Sequence, residues 1–297
     1  MNSYFPQGEQ NLEPRGEAGK ARSKSAGRGS REDLLSLWER LHRGDQEPWP
    51  EERLIGRLAK RHAAFASWLE GRNAPPKLAQ QLQDAWREFH AGEFRAAIAH
   101  GSELGPLGAS VANKAAAVHT LYAKNVGATE LHMLEAATRR GEAAAELLPD
   151  YANAHYFLSL ALGRYSQRIS ILKALADGLA GRVRRHLERA LELEPRHAEA
   201  HVAFGLYHAE IVSKLGALAA TLTYGASAAA AMEHFTRATK LAPTSPIVHI
   251  EYANALLLLD GRRHGEQARA LYAKAAACEP LDAMERLDVA RAKRGLD

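Results

Sequence analysis

From about position 34 onward, apolar residues recur three and four apart with polar residues between them, which is the signature of helices packed on one face. Leu34, Leu35, Leu37, Trp38 and Leu41 follow Ser30-Arg31-Glu32-Asp33, so the first helix opens with acidic residues in its first turn. The segment 45–50, DQEPWP, reads as a loop. A second helix is predicted over 51–69, closed by Gly71 and Asn73 ahead of Pro75-Pro76, and a third begins near Lys77. Around residues 181–211 the rhythm shows its unit. Val183, Leu187, Ala190 and Leu191 keep helical spacing up to Pro195, whose ring ends one helix and suits the turn into the next. Ala200, Phe204, Gly205 and Tyr207 then start a new helical rhythm.

The same layout recurs. After an imperfect break at Pro106, Pro149, Pro195, Pro243 and Pro280 close four successive units, at intervals of 43, 46, 48 and 37 residues. Five residues before each of these four prolines stands an alanine: Ala144, Ala190, Ala238 and Ala275. Twelve before them stand Ala137, Val183, Ala231 and Ala268, and matching first-helix sites hold Ala116, Ser159, Gly205 and Ala253. Small residues in register let helices approach at backbone distance, and three such columns define a helical repeat. Leu187, Phe235 and Tyr272, eight before their prolines, supply the larger knobs.

This spacing resembles the tetratricopeptide repeat (TPR), with His201, Phe204, Gly205 and His208 in its first-helix packing slots. The resemblance covers roughly residues 78–280 and implies an all-α solenoid of antiparallel helix pairs wound into a right-handed superhelix. The expected organisation is a disordered leader (1–32), an N-terminal helical cap (33–77), units at about 78–106, 107–149, 150–195, 196–243 and 244–280, and a C-terminal capping helix (281–297). Two units exceed the ordinary repeat, through inserts at 164–177 and 212–225. Enlarged units of this kind resemble those of TRAP-transporter T-component lipoproteins and regulator-of-microtubule-dynamics proteins.

Composition narrows the function classes. Alanine dominates an apolar fraction of 46%, and aromatics are only 7%, which favours closely packed helices over a sheet sandwich. Lys and Arg number 39 against 35 Asp and Glu, so the surface is mixed and gives no nucleic-acid footprint. One cysteine, Cys278, excludes an intrachain disulfide and suits a reducing compartment, and the N-terminal residues carry charges where a secretory signal would be apolar. These features point to a cytoplasmic protein. The stretch 215–232 lacks charge but is built from Ala, Gly, Ser and Thr, which transfer weakly into lipid; membrane association is not expected from it.

Candidate chemistry is sparse. His197, His201 and His208 share one helix face, and His155, His201 and His249 occupy the same slot in three consecutive units. The unit-to-unit separation keeps that column from converging on one metal ion, so packing histidines are expected and no metal or cofactor. No nucleophile motif, phosphate loop or zinc-protease motif is present, Cys278 reads as structural, and no catalytic residue is assigned.

In this repeat family the first helices line a concave groove. Carrying over those slots gives Asn153, Tyr156, Leu160, Glu199, Val202, Leu206, Ile250, Asn254 and Leu257 as a partner-binding surface. Its apolar character requires a cover: a partner segment, a hydrophobic ligand, another subunit, or the chain's own inserts, whose Ile169, Leu172, Leu175 and Leu179, and Leu215, Leu218 and Leu222, are themselves amphipathic. The expected function is a non-enzymatic scaffold that takes a protein or peptide in the groove, with homo-oligomerisation open. The alternatives are a small-molecule or metal-binding accessory protein akin to T-components, and a membrane-surface adaptor using 215–232.

Overall fold

The computed structural model describes residues 31–123 and 127–296. The leader expected over 1–32 lies outside the described residues as far as position 30, and Arg31 already belongs to the first helix. The described residues are helical, without strands.

The cap holds α1 (Arg31–Leu41), α2 (Glu52–Arg61) and α3 (Ala63–Leu69). The single helix predicted over 51–69 is two helices, because His62 leaves helical geometry at φ −124°, ψ 101°. Beyond the break Phe65 is fully buried and stacks on Trp68. The first repeat pairs α4 (Pro75–Ala91) with α5 (Phe94–Glu103); Gly92, at φ 90°, supplies the left-handed residue that ends α4. Pro75 and Pro76 occupy the first turn of α4, where their missing N–H groups cost nothing.

Four further units follow: α6 (Ala109–Tyr122) with α7 (Ala128–Leu147), α8 (Ala152–Ser166) with α10 (Leu179–Leu193), α11 (Ala198–Leu215) with α13 (Ala228–Leu241), and the two halves of α14 (Pro246–Ala276). α14 breaks at Asp260, which is extended at φ −162°. The inserts carry the short helices α9 (Ile171–Ala176) and α12 (Ala217–Tyr224), and α15 (Ala283–Arg294) ends the described chain.

The small-residue columns lie where helices touch. Ala144, Ala190, Ala238 and Ala275 are buried, as are Ala116, Ser159, Gly205 and Ala253. At Gly205 the reason is direct: a Cβ there would stand 2.7 Å from the Phe235 ring. That ring lies parallel to Tyr252 at 4.9 Å, carrying the packing from one unit into the next.

Two parts of the chain fold back across the first helices of the stack. The segment after α1, residues 42–50, sits between α4, α6 and α8 through hydrogen bonds and ring contacts. From the other end, α15 packs on α14 and also reaches α4 and α6. The C-terminal helix therefore ties the last unit to the first ones as well as packing at the end of the stack. The second insert does not cover this face, and Leu172 and Leu175 of the first lie outside the described side chains. Leu218 and Leu222 of α12 are 75% and 78% exposed, and the main packing of α12 is on α11.

Candidate functional site

The inner face is organised by a lysine inside an apolar helix. α6 is alanine-rich and buried along most of its length, and Lys114 near its middle is itself 3% exposed. A buried ammonium needs partners. Lys114 Nζ donates to Asp45 Oδ2 at 2.5 Å and to Glu199 Oε1 at 3.0 Å, and Glu199 Oε2 accepts from the Tyr156 hydroxyl at 2.9 Å. The turn that delivers Asp45 depends on two local features. Gln46 adopts φ 52°, and Gly44 lets the backbone approach α11, where its carbonyl accepts from Glu199 N–H at 2.9 Å. A Cβ on Gly44 would stand 2.9 Å from Glu199 Oε1.

Glu47, two residues on, occupies a second pocket. It accepts from the Tyr151 hydroxyl at 2.9 Å and from Asn153 Nδ2 at 2.5 Å, and its carbonyl accepts from Trp38 Nε1 at 2.7 Å. Trp38 also contacts Trp49 and Trp86 edge-on and stacks on His42, so the cap's tryptophans brace this turn. His42 Nδ1–H donates to Asp45 Oδ1 at 2.9 Å, and His90 Nδ1–H donates to Asp282 Oδ2 at 2.8 Å. The two Nε2 atoms meet at 3.2 Å, which requires one proton between them. Asp282 also caps α15 by accepting from Glu285 N–H. Further along α15, Asp288 accepts from the Tyr122 hydroxyl, and Arg291 Nη1 donates to Glu251 Oε1 at 3.0 Å.

Burial sets the charge states. It raises Asp45, but His42 and Lys114 outweigh it and hold that carboxyl far below the usual range. Glu47 has no cation beside it, so burial, with the Asp45 charge, pushes it up to about 8. Burial likewise raises Glu199 despite Lys114, and pushes Asp288 up to about 7. His197, which donates to Asn153 Oδ1 and accepts from Ala200 N–H, is pushed by burial down to about 3.

The nine groove positions separate into three groups. Asn153, Tyr156 and Glu199 converge on the 42–50 segment and its lysine. Leu160, Val202 and Leu206 pack in the clusters between helices, Ile250 packs against Ala275 of α14 and Ala292 of α15, and Asn254 is held by Glu251 and the Tyr272 hydroxyl. Leu257, one turn beyond Asn254 on α14, is 41% exposed. Sequence reasoning missed Asp45, Glu47, Lys114, His42, His90 and Asp282. Lys114 left a signal, a lone charge in an otherwise apolar helical run; Asp45 and Glu47 sit in the stretch that reads as a loop, with His42 just before it, and His90 and Asp282 sit in helical stretches with no pattern that marks them.

The histidine column has a defined role in each unit. His155, His201 and His249 donate from Nε2 to the carbonyls of Pro149, Pro195 and Pro243, six residues earlier, at 3.0, 3.2 and 2.7 Å. In two units Nδ1 faces a second-helix histidine: His186 at 3.0 Å and His234 at 2.8 Å. In the last unit Leu271 stands at the corresponding place, nine before the proline, and His249 Nδ1 has no partner. Among the described residues no group of three or more His, Cys, Asp or Glu is placed to hold a metal ion. Cys278 is half-buried, with its thiol donating to the Lys274 carbonyl.

Beyond the filled segment a cleft of about 950 Å³ opens between the end of α1, the α13–α14 turn, the second half of α14 and the start of α15. Gly44 and Glu199 border it on the inside; Arg40, Arg43 and Lys274 bring cations to its walls, and Tyr252 and Leu271 give it apolar surface.

Paired antiparallel helices, small residues in register and a superhelical stack define this molecule as an α-solenoid of the TPR type. The chain belongs to the family described as regulator of microtubule dynamics protein 1-3, whose model matches residues 109–294. A crystal structure of a thermophilic TPR protein from Thermus thermophilus is similar over 73% of this chain and 99% of that chain, with a TM-score of 0.53 and 18% identity, a likeness of fold. No curated protein matches the chain. Among the described residues no helix is long and apolar enough to cross a membrane.

Proposed function

We propose that this protein is a non-catalytic interaction scaffold that receives a segment of a partner protein in the open cleft at the end of its inner face. The observation that carries this reading is the cleft itself. It continues the surface on which the chain already seats its own 42–50 segment, and Gly44 and Glu199 belong to both. Of the nine groove positions, Glu199 lines the cleft, Leu257 is exposed, and the other seven pack or bond within the stack, against the loop or against α15. The family description speaks of regulating microtubule dynamics, and a scaffold of this kind would take part in regulation by binding. The charged, hydrogen-bonded network on the inner face supports a structural role for its acids over a catalytic one, since Asp45 and Glu47 are buried and already bonded. The lone cysteine supports a reducing, cytoplasmic setting.

Ala270 lines the cleft and is exposed, so Ala270→Trp fills the space without disturbing a core contact. Affinity capture from the native lysate is expected to retain a partner on the wild type and lose it on this variant. Equal capture by both would remove the cleft from consideration.

A further inference from the structure

We propose that Lys114, Tyr151 and Asn153 form a recognition site for an acidic Asp-x-Glu segment, and that this chain fills the site with its own Asp45-Gln46-Glu47 turn. The site adjoins the open cleft at Gly44 and Glu199, but Lys114, Tyr151 and Asn153 do not line that cleft, so the two readings are tested by different residues.

The division between receptor and occupant follows the chain. Lys114, Tyr151, Asn153, Tyr156 and Glu199 all lie within the 109–294 stretch that the family model matches, while residues 42–50 lie outside it. The matched stretch by itself thus supplies an ammonium and two hydrogen-bond donors, with Glu199 N–H free to donate, and in this chain an element outside the match supplies the acids.

The seating follows the chemistry of a bound peptide. The first acid pairs with an ammonium that is 3% exposed. The second, two positions later, is held by an amide and a phenol, Asn153 and Tyr151. The carbonyl just before the first acid takes a backbone N–H from α11. Main-chain bonding for affinity, with alternate side chains in separate pockets for specificity, is the general mode of extended-segment recognition. Spacing matters because the two pockets differ: one offers an ammonium that Glu199 Oε1 shares at 3.0 Å, the other neutral donors. The polar bonds this turn makes to α6, α8 and α11 are of a kind that an acidic segment supplied by another molecule can replace.

The test is a fluorescence-anisotropy titration with a labelled peptide of the sequence of residues 41–50, LHRGDQEPWP, against the full chain. Wild type, with its site filled, is expected not to bind. The Asp45→Ala/Glu47→Ala variant is expected to bind saturably. The same peptide with Asn and Gln in place of its acids should bind about tenfold or more weakly, as loss of a charge-assisted bond implies. Adding Lys114→Met should abolish binding. A folded double variant that ignores the peptide, or one that takes the Asn/Gln peptide equally well, overturns the proposal, as does binding that survives Lys114→Met. Binding to wild type as strong as to the variant overturns the self-filling part. Circular dichroism checks the fold first. Should the double variant unfold, Gln46→Pro, which is incompatible with φ 52° yet leaves both acids and the receptor side chains in the sequence, carries the same titration. Loss of helicity in both variants would make the turn a fixed structural part and overturn the proposal too.

Discussion

The inner face has two regions of the same helical architecture and opposite treatment. Over the middle units, the chain has brought an ammonium, three acids and several histidines to the inner face and bonded them to one another or to neighbouring amide and phenol groups. Over the last unit the face opens into a cleft, its cations stand at the rim in solvent, and His249 keeps an unpartnered Nδ1 where the units before it place a second imidazole. Buried charge here is matched group by group because no water is available to solvate it; exposed charge needs no such matching. The filled region, while its own turn is seated, should therefore govern stability, and the open one is the part accessible for binding.

The sharpest test of that contrast compares cations across the boundary. Lys114→Met takes the ammonium from the fully buried Asp45 and the partly buried Glu199 and is expected to destabilise the fold by about 3–5 kcal/mol, whereas Arg40→Ala at the exposed cleft wall should stay within about 0.5 kcal/mol. Chemical denaturation of both measures it, and similar losses would erase the distinction.

A second test uses pH. Glu47 stands at about 8 in the fold, above the ordinary 4.5 of the unfolded chain. Its protonated form is favoured on folding, so its contribution is complete below about 4.5 and is lost as pH rises through 8. Glu47→Gln, which keeps an amide oxygen for Asn153 and can turn an amide N–H toward the Tyr151 hydroxyl, should flatten that decline by on the order of a few kcal/mol between those limits. A stability profile with the same slope as wild type would show that Glu47 is not the group responsible.

The smallest effect comes from the histidine pairs. Burial, then the neighbouring His201 and His208, push His234 down to about 4 from 6.5. The unfolded state takes up the proton first, so stability present above 6.5 is lost as pH falls toward 4. His234→Leu converts unit four to the arrangement found at Leu271 in the last unit, and should make melting temperature less sensitive to acid over that window. An unchanged acid limb would move the sensitivity to other groups.

Legibility follows the range of the interactions. Ala190 five before Pro195, or Gly205 in the first-helix column, is visible because neighbouring units repeat the same local constraint, and the structure places each in a helix contact. The candidate surface was legible only in part. Asn153, Tyr156 and Glu199 were assigned to the inner face from the repeat register, and they do converge, on a segment of the same chain. That Asp45 would reach Lys114, 69 positions away, leaves no periodic trace. The second insert illustrates the converse: the spacing of Leu215, Leu218 and Leu222 suggested a cover for the groove, yet Leu218 and Leu222 are exposed.

By itself, the sequence determined the helix pairs, their breaks at proline and the all-α solenoid, since these depend on contacts within a unit and its neighbour, repeated along the chain. Only the tertiary structure decided what fills the inner face. That choice brings Asp45, His90, Lys114 and Asp282 together from distant parts of the chain, and it is made by the need of buried charges for partners rather than by any local pattern.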